Sequence, residues 1–233
     1  MIPDRKFGPR LEVVSDQQPM QSITVKRLSD KPDLERGYWA AIRKICCLTG
    51  DNGRPIAATR RQFFARIWIE PYQRLLPHWT YAAVDGDEVV GYLTGCPDSA
   101  IFYRQRTWRC SIPLLIQIGL GRYRNSSDAR NFARRTLRMG KSVAPRFSPG
   151  VMQRLDRAYP AHLHINVDER HRQRGIGRRL VESYLADLRF QSVAGVHLFC
   201  GADPLGFYHS LGFEVIETAN SATATVFLLG LRL

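Results

Sequence analysis

Between residues 161 and 190 the chain passes from a strand through a short glycine-bearing turn into an amphipathic helix. No other feature narrows the available folds as much. Ala161 to Val167 alternates as a strand does, with His162, His164 and Asn166 on one face and Leu163, Ile165 and Val167 on the other. Arg172-Gln173-Arg174-Gly175-Ile176-Gly177 follows, and Ile176, Leu180, Val181, Tyr184, Leu185 and Leu188 then recur at helical spacing. The first-turn N–H groups of such a helix lack intrahelical partners and lie at the positive end of its dipole. Gly175 and Gly177 are expected to keep side chains away from that backbone, and Arg170, Arg172, Arg174, Arg178 and Arg179 fringe it. A turn of this kind is suited to a pyrophosphate.

Other phosphate-binding folds use glycines too, and two of them are excluded by spacing. The dinucleotide fingerprint needs three glycines at other intervals and an acidic residue at the end of the next strand, whereas here that strand ends in Cys200-Gly201. The Walker A loop needs a Gly-Lys-Ser/Thr triplet, which the sequence lacks. What remains is Arg-x-x-Gly-x-Gly, with Phe207-Tyr208-His209-Ser210-Leu211-Gly212-Phe213 some thirty residues later.

That pair, in this order, resembles the GCN5-related N-acetyltransferases, the GNAT superfamily. The resemblance implies an α/β fold: a mixed central sheet of about six or seven strands flanked by helices. It also implies acetyl-CoA as co-substrate, its pyrophosphate held by Arg172, Gln173, Arg174, Gly175, Ile176, Gly177 and Arg178. The pantetheine arm would lie along the backbone of Ile165, Asn166 and Val167, as an added strand does. Tyr159-Pro160-Ala161-His162-Leu163-His164-Ile165 and Gly195-Val196-His197-Leu198 are further similar to bacterial relatives of the acetyltransferase-like domain attached to O-GlcNAc hydrolases. Two departures from the family pattern stand out. The Asn-x-x-Ala before the Phe-Tyr pair is missing, which shortens that helix by about a turn, and Asn166 stands where those bacterial relatives tend to carry Asp.

The rest of the chain reads as one domain over 22–233, after a polar, Pro-containing leader at 1–21. Ile23 to Leu28 alternates as a first strand, and Leu34 to Leu48 repeats at helical spacing until Thr49-Gly50-Asp51-Asn52-Gly53 stops it. A second helix is expected over Ala58–Trp68, and Thr80 to Val84, Asp85-Gly86 and Glu88 to Thr94 make a hairpin. Roughly sixty residues, 97–157, then separate the third strand from the fourth. Ile112 to Leu120 is strongly apolar, and Arg130 to Met139 is expected as a helix with Phe132, Ala133 and Leu137 on one side. Three uses of this insertion stay open: a lid or wall on the acceptor side, a helical decoration packed on the sheet, and a patch that touches membranes. Gly195 to Phe199, a short helix from Pro204 to Leu211, Phe213 to Ile216 and Thr223 to Leu231 complete the pattern. The last strand is expected to leave a sheet edge open to a homodimer.

Charge constrains partners less than it first suggests. The 233 residues carry a formal +13. Much of the excess lies between Tyr103 and Phe147, where eleven Arg and Lys residues face one acid, Asp128. A solvated basic surface, a wall attracting CoA phosphates or an acidic acceptor, and a nucleic-acid interface all fit, though no nucleic-acid-reading motif accompanies the charge. Five cysteines without CxxC spacing point to neither a disulfide framework nor a zinc site, so no metal is expected. No apolar run is long enough to span a membrane, and no apolar core of a signal peptide is present, so the cytoplasm is the expected location.

The chemistry implied by the family is acetyl transfer to a primary amine by direct attack in a ternary complex, which needs no nucleophilic residue. Tyr208 is the candidate general acid, since a phenol with a pKa near 10 stays protonated at neutral pH. Two groups are candidates for the base. His164 would act with a pKa near 6.5, and Asp203 follows the fifth strand, with N-capping of the next helix as its plain alternative. A non-catalytic acyl-CoA-binding module and a nucleic-acid-associated protein remain the competing functions. The sequence does not distinguish among amine acceptors.

Overall fold

The computed structural model describes residues 23–29, 35–50, 53–137, 147–220 and 225–233. Among these, the alternating segments become seven strands: β1 (Thr24–Arg27), β2 (Thr80–Asp85), β3 (Glu88–Cys96), β4 (Ala161–Val167), β5 (Gly195–Cys200), β6 (Glu214–Asn220) and β7 (Thr225–Arg232). They form one sheet in the order β1-β2-β3-β4-β5-β7-β6. Every neighbouring pair is antiparallel except β4 and β5. The Asp85-Gly86 turn closes the β2–β3 hairpin, with Gly86 at φ +59° where a side chain would be strained.

Nine α-helices are described: α1 (Arg36–Thr49), α2 (Ala58–Trp68), α3 (Glu70–Leu75), α4 (Ser99–Arg106), α5 (Ile112–Gly119), α6 (Ser127–Leu137), α7 (Pro149–Ala158), α8 (Ile176–Phe190) and α9 (Leu205–His209). A π-helical turn, Thr107–Ser111, joins α4 to α5. The two faces of the sheet bury different helices because successive strand residues point in opposite directions. Tyr81, Ala83, Leu93, Leu163 and Leu198 pack with Leu180, Tyr184 and Leu188 of α8. Ala82, Val84 and Tyr92 pack with Trp39, Ile42 and Cys46 of α1 on the other side.

Tyr184 ties α8 to the middle of the sheet. Its hydroxyl lies 2.9 Å from the Cys96 carbonyl and 2.8 Å from that of His162, residues paired across β3 and β4. The ring reaches them because residue 95 is glycine: a Cβ there would sit 2.5 Å from the Tyr184 ring.

The insertion is helical, as expected, but its apolar contacts are chiefly with other helices. Leu114 and Ala129, with Ile118, Tyr123 and Phe132, close on Phe63 and Ile67 of α2. Phe102 of α4 stacks on Tyr72 of α3, and Tyr103 stacks on His162 of β4, so this arm walls the β4 face that carries the histidines. The end of the insertion reaches the far strands, through Phe147 against Phe199 and through Val151 and Leu155 of α7 against Leu228. Two expectations are corrected. The α6 helix begins at Ser127, and Leu137 is 76% exposed, because Ala129 and Phe132 supply the packed face. The last strand is not an edge: β7 pairs with both β5 and β6, and β6 takes the outer position. The expected leader, and Arg138, Lys141 and Arg146 of the basic run, lie outside the described residues.

Gly95→Ala is expected to cost about 1–3 kcal/mol through overpacking against a ring that cannot retreat. Tyr184→Phe is expected to cost about 1–2 kcal/mol through the lost hydroxyl contact. Urea denaturation of the two variants reads both effects, and wild-type stability in Gly95→Ala would contradict the close approach.

Candidate active site

The site is built where β4 and β5 separate. These parallel strands share only two rungs, Ala161 with Val196 and His162 with His197. Beyond them β4 keeps only its β3 partner on one side. The Asp168 N–H donates to the Val90 carbonyl at 2.9 Å, which sets the phase of the β3–β4 ladder. By that phase Asn166 and His164 spend their backbone groups on β3, while Leu163, Ile165 and Val167 turn theirs toward the gap. Of the three residues expected to bind an extended ligand arm by backbone, Ile165 and Val167 are therefore suitable and Asn166 is not. The Val167 carbonyl accepts from Arg172 Nε at 3.3 Å.

The glycine turn follows at the open end. Gln173 has φ +62° and Gly175 φ +73°, and this alternation of hand makes a concave run of backbone amides before α8. Gly175 is the N-cap and supplies no side-chain cap, while its carbonyl accepts from the Arg179 N–H, so the first-turn donors of α8 are left for a ligand. Each of the two glycines has a local reason of its own. A Cβ on Gly175 would meet nothing within 4 Å, so glycine is needed there for its positive φ. A Cβ on Gly177 would lie 3.1 Å from the Phe207 ring, so its missing side chain admits α9. Gln173 holds the same left-handed conformation without being glycine, at a cost of about 1–2 kcal/mol, a strain that residue type alone does not reveal.

The surrounding arginines are anchored to the protein. Arg170 pairs with Asp168 and Glu88, Arg174 lies 3.3 Å from Asp85, and Arg179 donates to the Ile23 carbonyl. Arg178 donates to the Ser210 carbonyl and hydroxyl, tying α8 to the turn after α9. They bias the local potential toward anions while holding the loop in shape.

Tyr208 follows the Phe207 that packs on Gly177. Its ring is buried between Phe207 and Phe213, and its hydroxyl has no hydrogen-bond partner among the described residues. Burial, and next the Cys200 thiol at the end of β5, push the phenol pKa above its ordinary value, so the proton is retained. Asp203 is exposed in the turn after β5, and no side chain caps α9, which removes the capping role expected as its alternative.

His164 occupies the opposite face of β4. It stacks on Trp68 of α2 at 5.7 Å, and the Asn166 amide reaches His164 Nε2 at 3.0 Å and the Tyr92 hydroxyl at 2.9 Å. Both amide hydrogens are thereby used, and the histidine proton belongs on Nδ1. Burial lowers the His164 pKa to about 4 rather than leaving it near 6.5. His162 is held more tightly. Its Nε2 lies 2.8 Å from the Tyr72 hydroxyl and its Nδ1 2.8 Å from Ser99 Oγ, which itself donates to the Pro160 carbonyl. Burial first, then His197, lower its pKa to about 3. The structure thus gathers Tyr208, Asp203 and the glycine turn at one end of the gap and places His164 across the sheet. Trp68 and Tyr92, which shape this site, carry no motif of their own, although Phe64 and Trp68 are spaced as a helical i,i+4 pair.

Similarity to known proteins agrees with this geometry. Residues 148–215 match the family model described as an acetyltransferase (GNAT) domain. The crystal structure of SsHAT is 27% identical and covers 91% of this chain and 98% of its own, with a TM-score of 0.66. Residues 148–215 thus carry the pattern of a GNAT acetyltransferase domain, and the described residues take the GNAT fold. The same sheet recurs in a GCN5-related N-acetyltransferase from Kribbella flavida (16% identity, coverage 91% and 98%, TM-score 0.51). It recurs also in Ard1 from Thermoplasma volcanium (15% identity, coverage 91% and 97%, TM-score 0.50). At those identities the likeness is one of fold. These similarities stand at the level of the GNAT superfamily and do not reach the narrower bacterial group. Among the described residues no cluster of three or more His, Cys, Asp or Glu could hold a metal, and no helix is long and apolar enough to cross a membrane.

The two depressed histidines make stability pH-dependent. Between pH 6.5 and about 4 the unfolded chain binds protons that the folded chain refuses, so stability falls as pH falls through that window. The slope is roughly 1 kcal/mol per pH unit for each histidine. Denaturant titrations from pH 7 to pH 4.5 are expected to show this loss, with a shallower slope in His162→Gln. An unchanged slope in the variant would mean that His162 is protonated in the fold.

Proposed function

We propose that residues 22–233 act as one acetyl-CoA-dependent N-acetyltransferase domain, in which a primary amine attacks the thioester directly in a ternary complex. The observation that carries this reading is the packing of Phe207 on Gly177. It locks α9 to the first turn of α8, so a buried tyrosine with an unpartnered hydroxyl stands one residue from the anion-binding turn. Acetyl-CoA fits this surface: the amides of 173–177 face its pyrophosphate, and Ile165 and Val167 offer backbone groups to its arm. It supplies the activated acyl group.

The protein's share of the chemistry is positional and protonic. Tyr208 holds a proton for the departing sulfur, and burial keeps that proton in place across the physiological range. His164 Nε2 is occupied by Asn166, so His164 presents a neutral Nδ1–H and orients the acceptor rather than deprotonating it. Asp203, exposed and without an ion-pair partner among the described residues, takes the ammonium proton, directly or through water. The acceptor approaches from the Trp68–His164 face, opposite α8.

Tyr208→Phe is expected to lower kcat by about 10²–10⁴ while leaving acetyl-CoA affinity within about threefold, less than 1.4 kcal/mol. Asp203→Asn should lower kcat at neutral pH, with the loss shrinking as pH rises and more amine is already neutral. Gly175→Asp, which sets a carboxylate against the amides, should abolish CoA binding by calorimetry. Undiminished turnover in Tyr208→Phe would remove the tyrosine from the mechanism, and retained CoA binding in Gly175→Asp would remove the loop.

A further inference from the structure

An open cavity of about 460 Å³ lies outside the acetyl-transfer site, between α1 and α2 and bordered by the insertion. The α1 helix turns Ile42, Ile45 and Cys46 toward the sheet and Arg43, Lys44, Cys47 and Leu48 toward this cavity. The α2 helix contributes Arg61, Ala65 and Arg66. Tyr123, from the insertion, forms another wall: its ring meets Phe63 edge-on at 5.1 Å and its hydroxyl accepts from Arg66. No lining residue belongs to the glycine turn, to β4 or to α9.

The charge inside is unbalanced. Arg43, Lys44, Arg61 and Arg66 face a single carboxylate, Glu70, which pairs with Arg66 at 3.1 Å. Arg43 donates to the Gln73 side chain and Arg61 Nε to the Ile56 carbonyl at 2.9 Å, both neutral groups. Lys44 has no carboxylate partner among the described residues. Holding three uncompensated cations together costs energy that an anion would offset. A monoanion would leave two in excess and a dianion only one. The volume is that of a site for a small organic molecule rather than a bare ion. Leu48, Ala65 and the face of Tyr123 give it apolar wall.

We propose that this cavity binds a small organic phosphate, its dianionic head on Arg43, Lys44 and Arg61 and its organic body against Leu48, Ala65 and Tyr123. Arginine forks and a lysine point charge suit a phosphate's several acceptor oxygens. The site is separate from the acetyl-CoA surface, so it stands or falls independently of the acetyltransferase mechanism. It also gives the insertion a task, because Tyr123 completes the cavity.

The test is calorimetric titration of the full chain with phenyl phosphate, in the presence of saturating CoA so that the glycine turn is filled. Saturable binding is expected, weaker with benzoate and with inorganic phosphate, which lack the second charge and the apolar body respectively. Arg61→Glu and Lys44→Ala change exposed side chains, so both should fold, which the thermal midpoint checks. Each should weaken phenyl phosphate binding at least about tenfold, equivalent to 1.4 kcal/mol, without altering CoA affinity. The proposal is overturned by an absence of binding to the wild type, by wild-type affinity in both variants, or by phenyl phosphate binding that is seen only when CoA is left out. Benzoate binding as tightly as phenyl phosphate would likewise refute the dianion.

Discussion

The separation of β4 from β5 after two rungs is the constraint on which the rest of this molecule depends. A sheet continued to full length there would satisfy every backbone group and leave no room for a ligand. Instead Leu163, Ile165 and Val167 face a gap, and the elements that leave its open end, the glycine turn from β4 and the short α9 from β5, are carried apart by the diverging strands. Parallel pairing matters here because it brings both carboxyl ends to the same side, where the turn amides and the tyrosine can serve one ligand.

Three local contacts hold that opening in shape. Tyr184 pins α8 to the β3–β4 pair, and Gly95 lets its ring approach. Phe207 seats α9 on the first turn of α8 through Gly177. Asn166 spends both amide hydrogens on Tyr92 and His164, fixing the histidine as a neutral donor on the far face. An aspartate at 166 would favour a protonated histidine instead, since a carboxylate stabilises the imidazolium. The amide at 166 therefore sets the electrostatics of the β4 face that carries His164.

The insertion builds an outer helical layer on α2 and α3 instead of lying on the sheet. Its aromatic residues are used on two sides: Phe102 and Tyr103 enclose His162, and Tyr123 and Phe132 enclose Phe63. Since α2 also carries the Trp68 that stacks on His164, the insertion supports this face of β4 from behind. Its basic character is only partly neutralised, as in the Arg60–Asp128 pair that joins α2 to α6.

Strand alternation, the Asp-Gly hairpin and the glycine turn are local properties, and they were legible because backbone conformation there depends on residues near in sequence. The same holds for the two faces of β4 and for the boundaries of α8. Other features arise from residues far apart in the chain. Phe207 explains Gly177 from thirty residues away, Tyr184 explains Gly95 from almost ninety, and burial by α2 and α3 lowers both histidine pKa values. The interior place of β7 was likewise invisible, since pairing partners are chosen by packing and not by strand order. The sequence by itself determined the glycine turn, the tyrosine that follows it and the resemblance to the GNAT superfamily. Only the tertiary structure decided which histidines stay neutral, which glycines are steric and what walls each face of β4, because those depend on what is buried against what.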